Sequence, residues 1–291
     1  VFDSYIRRYP EQAKGDRIYS YMALAALYNH DYAGAVEAYD KIDVLDADMK
    51  NNYMKANYLR ADQLVSAGSY RSAISCLKTA AYYSDTRTPF NQTARYWLAE
   101  SYYRSDDYAQ SAEMYKNLYN TSALYGKKEG NLIPYNVAYC YFKENDFKSA
   151  ADWFDTYLQT GDKTRRRDAL TRQADCFFID KDYAGAIAAY ETVIREYPQL
   201  DDLYPYYQAG VSYALTNKQK EEIKLLAATR SAAPDASFWC ETEYELARAY
   251  MGAGDNTSAS QVFASIVSDG RDSTYKASAL IGLGMISANE S

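Results

Sequence analysis

The sequence predicts an all-α chain, a solenoid of stacked antiparallel helix pairs. Three observations point to it. An aromatic residue is followed by a small residue three positions on and a large apolar residue seven positions on. The copies are Tyr32-Ala35-Tyr39, Tyr70-Ala73-Leu77, Tyr108-Ser111-Tyr115, Phe147-Ala150-Phe154 and Tyr183-Ala186-Tyr190, with weaker ones at Gln219-Glu222-Leu226 and Asn256-Ala259-Phe263. The starts lie 38, 38, 39, 36, 36 and 37 residues apart, a spacing that marks a repeat array. Nine residues before every start stands a small residue: Ala23, Ala61, Ala99, Ala138, Ala174, Gly210 and Ala247. A small side chain there lets two helices approach closely while the aromatics fill the space between pairs. Finally, 13 Gly and 6 Pro in 291 residues are few enough to favour helices over short strands and turns.

Each element follows from this pattern. The residue before each start is Asp31, Ser69, Asp107, Asp146, Asp182, Lys218 or Asp255. Six of these seven suit a helix N-cap, whose side-chain oxygen accepts from a free first-turn N–H. A second helix therefore begins at each start, after a short turn such as Asn29-His30, Ala67-Gly68, Glu144-Asn145 or Gly254. The expected repeats are 16–47, 50–85, 91–123, 131–162, 165–199, 202–234 and 238–269, within one solenoid over 1–291. The copy at Gln219 lacks both the aromatic and the small residue, which predicts a loosely packed second helix. The longest turn is expected over 120–130, around Gly126 and Gly130. Phe2 and Pro10 match the spacing of Tyr190 and Pro198, so 1–10 reads as a B helix without its A helix. Residues 273–290 read as a terminal A helix with Gly282 in the small position. Phe2, Tyr5 and Ile6 would make a poor polar cap, so more repeats are expected before Val1, the chain being a fragment of a longer protein.

Composition narrows the function. The net charge is 32 − 39 = −7, which disfavours nucleic acid and anionic membrane as partners. No apolar run approaches the length of a membrane span. The four cysteines, Cys76, Cys140, Cys176 and Cys240, lack metal or redox spacing, and no nucleotide-binding, zinc-protease or serine-hydrolase string occurs. No catalytic residue, metal or cofactor is expected. The one histidine, His30, falls in a turn without a second ligand nearby. Asp40, Asp43, Asp46 and Asp48 lack the glycine and terminal glutamate of a calcium loop. The run Lys163-Thr164-Arg165-Arg166-Arg167 sits at a helix start, where positive charge is mildly unfavourable. The simpler reading is a solvated turn, and the alternative is a contact for an acidic partner.

The repeat resembles the tetratricopeptide repeat family over the whole chain. In that frame the small residue is position 8, the aromatic start is position 17, and the later small and large residues are positions 20 and 24. Position 11 is Tyr102, Tyr141, Phe177, Tyr213 and Tyr250, and position 32 is Pro10, Pro198 and Pro234. The resemblance implies a right-handed superhelix whose A helices line a concave face through positions 2, 5, 9, 12 and 13. It implies a protein-interaction scaffold rather than an enzyme. The Tyr-Pro endings, Tyr9-Pro10 and Tyr197-Pro198, are similar to those of bacterial envelope proteins, which favours a periplasmic or outer-membrane-associated setting.

Carried onto this chain, position 5 holds Tyr58, Tyr96, Tyr135, Tyr207 and Tyr244. Position 9 holds Asp62, Glu100, Tyr139 and Asp175, and position 12 holds Tyr103 and Phe142. The chain has 33 Tyr against 9 Phe and 3 Trp. Eleven tyrosines occupy the structural positions 11, 17 and 24, but the fold does not require tyrosine at position 5. Tyrosine supplies rigid contact area with a polar tip and is enriched in binding hot spots. The expectation is a Tyr-rich, partly acidic groove for an extended peptide or helix with apolar and basic side chains. The competing reading is that these rings only pack against one another across adjacent A helices. Two other functions stay open: a module that positions a catalytic domain outside this chain, and a glycan- or peptidoglycan-binding surface.

Overall fold

The computed structural model describes residues 2–15, 17–121, 124, 128–269 and 271–289. The chain divides into two units, Val1–Asn145 and Asp146–Ser291. In the first, α1 (Phe2–Arg8) and α2 (Pro10–Gly15) precede three A/B pairs and a further A helix. The pairs are α3 (Ile18–Tyr28) with α4 (Tyr32–Tyr39), α5 (Ala47–Ser66) with α6 (Tyr70–Tyr83), and α7 (Pro89–Tyr103) with α8 (Tyr108–Asn120), followed by α9 (Lys128–Lys143). The second unit opens with the B helix α10 (Phe147–Gln159). It continues with α11 (Arg166–Ile179) and α12 (Tyr183–Glu196), α13 (Tyr204–Leu215) and α14 (Gln219–Ala227), and α15 (Trp239–Gly252) and α16 (Asn256–Asp269). The last helix is α17 (Ser273–Asn289). Each unit is an α-solenoid of antiparallel helix pairs, with no strand among the described residues.

In the segment read as a helix over 1–10, α1 spans Phe2–Arg8 and a second short helix opens at Pro10. Proline has no N–H to give and disfavours helical geometry in the residue before it, so Pro10 ends one helix and opens another. The long turn expected around Gly126 falls mostly outside the described residues.

The small residues do what the pattern requires. Ala23, Ala61, Ala99, Ala138, Ala174 and Ala247 have no exposed surface, and neither do Ala35, Ala73, Ser111, Ala150, Ala186 and Ala259 at position 20. The large residues of position 24 fill the adjoining space: Tyr39, Leu77, Tyr115, Phe154, Tyr190, Leu226 and Phe263 are all fully or almost fully buried. Glycine replaces alanine at position 8 where the neighbour is nearer. A Cβ on Gly210 would stand 2.7 Å from Leu226 Cδ2, and one on Gly282 would stand 2.6 Å from the Phe263 ring.

The turns share a backbone conformation that the sequence pattern did not single out. The residue two before each B helix has positive φ in all seven repeats: His30, Gly68, Asp106, Asn145, Lys181, Asn217 and Gly254. A left-handed residue after a helix lets the following N–H reach back over the helix end. Here the N–H groups of Asp31, Ser69, Asp107, Asp182, Lys218 and Asp255 bond to the carbonyls of Ala26, Leu64, Tyr102, Phe177, Tyr213 and Tyr250. His30 is therefore a turn residue, with its ring Nδ1 2.8 Å from the Tyr32 hydroxyl. Five of the expected N-caps form: Asp31, Asp107, Asp146, Asp182 and Asp255 each accept from the N–H three residues on. Ser69 starts its helix without that bond.

The sixth repeat departs from the rest. Its B helix, α14, has 9 residues, short like the 8-residue α4 and unlike the 14 residues of α12 and α16. It is nevertheless packed, since Leu226 is wholly buried and the Gln219 amide donates to the Ala249 carbonyl at 3.1 Å. Glu222 stands at position 20, where the other six repeats carry Ala or Ser, and it is 4% exposed. Burial, with the negative charge of Glu245 adding to it, pushes the Glu222 carboxyl up to about 7 against the partial relief of Arg248.

Two outcomes follow. A non-glycine residue in the left-handed region costs roughly 1–2 kcal/mol, so Lys181→Gly should raise unfolding stability by about 1 kcal/mol, read by urea denaturation, and Lys181→Val should lower it. For Glu222, the native carboxyl keeps a proton that the unfolded chain releases near its ordinary value of 4.5. Its contribution is full below that value and is lost as pH rises through 7. Between pH 4 and pH 8, Glu222→Gln should therefore gain stability relative to the parent, by on the order of 3 kcal/mol at most. Parallel melts across that range that keep a constant gap would refute the assignment.

Candidate functional site

The stripe expected from positions 5, 9 and 12 resolves into anchored rings and carboxylates that are already engaged. In the first unit, Tyr58 is half-buried with its ring 4.8 Å from Phe90 of the next A helix, and Asp62 beside it is exposed. Tyr96 meets the Tyr115 ring edge-on at 5.6 Å, and Asn136 of α9 donates to its hydroxyl at 3.4 Å. Tyr103 lies 5.4 Å from Tyr108. On α9, Tyr135 and Tyr139 lie 4.9 Å apart, and Tyr139 and Phe142 6.2 Å apart, which makes a continuous aromatic run along one helix face. Burial raises the hydroxyl pKa of Tyr58, Tyr96 and Tyr103, so all three stay neutral donors at neutral pH.

In the second unit, Tyr207 stacks on Phe238 at 6.0 Å, while Tyr244 contacts Phe263 at 5.8 Å and Tyr275 at 5.5 Å. Position-5 rings thus do pack against the following A helix, at Phe90, Phe238 and Tyr275, and they remain half-buried while doing so.

The acids behave differently from the expectation. Glu100 accepts from the Tyr115 hydroxyl at 3.0 Å and from Arg104 at 2.7 Å. Asp175 is 5% exposed; its Oδ1 accepts from Tyr190 at 2.6 Å and Tyr204 at 2.8 Å, and its Oδ2 from Arg172 at 2.7 Å. Burial, reinforced by the Asp175 charge, raises both tyrosines well above the ordinary phenol value. In both repeats the position-9 acid therefore holds the position-24 tyrosine fifteen residues on. The first repeat has Tyr39 at position 24 but Leu24 at position 9. Among the described residues its hydroxyl has no carboxylate to donate to, and Asn52 is the polar side chain beside it. Of the three predicted acids, only Asp62 offers an exposed charge with no ion pair or hydrogen bond drawn to it.

The basic run is largely neutralised locally. Arg166 makes two bonds to Glu196, at 2.8 and 2.9 Å, and Arg167 pairs with Asp202 at 3.3 Å. Among the described residues, no ion pair is formed by Lys163 or Arg165. They border a cleft of about 700 Å³ that also holds Arg172, Tyr197, Tyr204 and Phe238. Sequence reading missed Phe238, which takes a left-handed backbone at the start of α15 and places its ring against both Tyr204 and Tyr207.

Among the described residues, no group of three His, Cys, Asp or Glu side chains could hold a metal ion. Burial pushes the Cys140 and Cys176 thiols up to about 12, so they act as small core side chains. Asp40 accepts from Tyr53, and Asp46 caps α5 through the Met49 N–H at 2.9 Å, so half of the acidic turn is committed to structure. Among the described residues, no helix is long and apolar enough to cross a membrane.

Two tetratricopeptide repeat family models match, at residues 58–126 and 168–199. Among curated proteins, none matches the sequence. Among solved structures, the chain is similar to the C-terminal part of a TPR repeat-containing protein from Cytophaga hutchinsonii. That likeness has a TM-score of 0.56 at 13% identity and covers 91% of this chain and 99% of that one. MamA of strain AMB-1 is similar at a TM-score of 0.50 and 13% identity, covering 64% of this chain and 96% of its own. A double mutant of MamA from strain RS-1 is similar at a TM-score of 0.50 and 16% identity, covering 62% and 97%. At these identities the likenesses show the fold.

Removing one partner from a buried charge network costs about 3 kcal/mol or more. Asp175→Asn should destabilise the chain by that order in urea denaturation. Glu100→Gln, at a more open site, should cost about 1 kcal/mol. Equal losses for the two would contradict the buried role given to Asp175.

Proposed function

The chain belongs to the tetratricopeptide repeat family, a fold of protein-interaction scaffolds, and on that premise we propose that it binds an extended peptide or a helix of a partner protein along its A helices. The observation that carries this reading is the state of the position-5 tyrosines. Each is held by a neighbouring ring, yet each keeps part of its surface open. A ring already fixed in place loses little rotamer freedom when a ligand covers it, and this lowers the cost of binding. The run Tyr135, Tyr139 and Phe142 supports the same reading, since it offers successive apolar contacts with polar tips to a chain lying across α9.

The carboxylates refine the expected ligand. With Glu100 and Asp175 turned to structural work, the first unit's open acid is Asp62, beside Tyr58 and Trp97 in a shallow indentation that also includes Val65 and Leu77. The main contribution is therefore aromatic contact, with basic side chains engaged at few points rather than along the whole stripe. Catalysis has no place in this reading.

The test is a pair of substitutions on separate A helices. Tyr96→Ala with Tyr135→Ala should weaken binding of a partner recovered by affinity capture at least tenfold, measured by calorimetry. Circular dichroism should show helical content unchanged. Retained affinity in a folded double variant would leave these rings with a packing role only.

A further inference from the structure

The sixth repeat holds a buried carboxylate that the fold does not require. Position 20 is small in the other six repeats because it lies at the crossing of two helices, yet here it is Glu222, which is 4% exposed. No hydrogen bond or ion pair reaches its carboxylate from the described residues. An ionised carboxylate in such surroundings is costly unless it is paired, so a residue of this kind at this place calls for a reason beyond packing.

Glu222 lines a cleft of about 290 Å³ between α13, α14 and the next A helix, α15. The lining residues are Ala214, Asn217, Gln219, Glu222, Glu245, Arg248 and Ala249. Their chemistry is sorted. Ala214 and Ala249 give apolar wall. The Gln219 amide is tied to the Ala249 carbonyl. Glu245, 8% exposed, accepts from Arg248 at 3.0 Å. The Arg248 side chain is more than half exposed and is the cleft's only cation. The charged groups facing Glu222 are thus Glu245 and Arg248, both from α15, while α13 brings no ionisable side chain into the cleft.

With Glu222 ionised, the cleft carries two negative charges and one positive, so a single added cation balances it. A divalent metal suits it poorly. Only two carboxylates are present, an arginine sits beside them, and no group of three acidic, histidine or cysteine ligands occurs among the described residues. A compact monovalent head on a slim apolar stem fits better. That is the shape of a lysine side chain, a point charge with three donors on a four-carbon stem.

We propose that this cleft is a socket for a lysine ammonium of the bound protein, seated between the Glu222 and Glu245 carboxylates with the stem along Ala214 and Ala249. The proposal rests on the reading of the chain as a protein-binding solenoid and specifies the chemistry of one contact. Because Glu222 is partly protonated near neutrality, lysine binding displaces its proton. Affinity should then rise with pH, by about tenfold between pH 6 and pH 8 for a carboxyl that titrates near 7.

The test uses the full chain and a blocked lysine, N-acetyl-lysine N-methylamide, with the norleucine analogue as the control that lacks the ammonium. Backbone amide NMR at pH 8 should show saturable shifts at Asn217, Gln219 and Ala249 with the lysine probe and none with the control. The same titration at pH 6 should give about tenfold weaker binding. Glu222→Gln should abolish it. Glu222→Ala, which restores the small residue of the other repeats, should abolish it as well and excludes misfolding as the cause. Arg248→Gln, which removes the competing cation, should tighten it severalfold. Equal affinity at both pH values, unchanged binding in Glu222→Gln, or shifts shared with the norleucine probe would each overturn the socket. The Tyr96→Ala, Tyr135→Ala variant should bind the lysine probe normally. A failed socket and a failed aromatic stripe are therefore separable results.

Discussion

Everything in this chain depends on a crossing between helices that has room for little more than a methyl group. Ala23, Ala61, Ala99, Ala174 and Ala247 sit at it from the A helices and carry no exposed surface. Ala35, Ala73, Ser111, Ala186 and Ala259 answer them from the B helices. Because the backbones approach there, the large residue four positions further along the B helix is driven into the space beside the crossing and closes the core of each pair. Close packing at one point thus sets where the A helix faces, and so which residues are left on its other side.

That constraint also governs the polar network. A tyrosine at position 24 carries its hydroxyl toward the neighbouring A helix, where a buried donor needs an acceptor. Glu100 and Asp175 supply it to Tyr115 and Tyr190. Asp175 serves a second tyrosine, Tyr204, and an arginine besides. The residue that looks like a groove acid is therefore, in two repeats of this chain, the hydrogen-bond acceptor of the core. Where the large residue is Leu77 instead, there is no hydroxyl to satisfy, and Asp62 is left exposed.

The repeat phase, the helix pairs and five aspartate caps were legible because each depends on side-chain size or chemistry at a fixed spacing. What was not legible has physical reasons. The left-handed turn residue escaped because His30, Gly68, Asp106, Asn145, Lys181, Asn217 and Gly254 share no side-chain property, only a backbone angle that the turn imposes. The engagement of Glu100 and Asp175 escaped because their partners lie fifteen residues on, in the other helix of the pair. The signal was present all the same. Acid at position 9 occurs with tyrosine at position 24 in the third and fifth repeats, and the first repeat breaks the pairing with Leu24 and Tyr39. Phe238 escaped because no pattern of spacing marks an aromatic residue that caps a helix with positive φ. The division at Asn145 and Asp146 falls inside the fourth repeat, where the sequence pattern shows no interruption.

The sixth repeat shows how a departure from the pattern is to be read. It has lost the aromatic start and placed a carboxylate at the crossing. The first loss is compensated by packing. Gly210 lets Leu226 come closer, and Gln219 spans to the backbone of the next A helix over Gly252, where a Cβ would stand 2.6 Å from its amide nitrogen. Glu222 has no such compensation within the fold. A sequence under selection for packing alone would return alanine there, since alanine serves the same crossing in five other repeats and costs no desolvation. The uncompensated residue is therefore the one place in the repeat array where packing alone does not account for the side chain, and the proposed lysine socket starts from it.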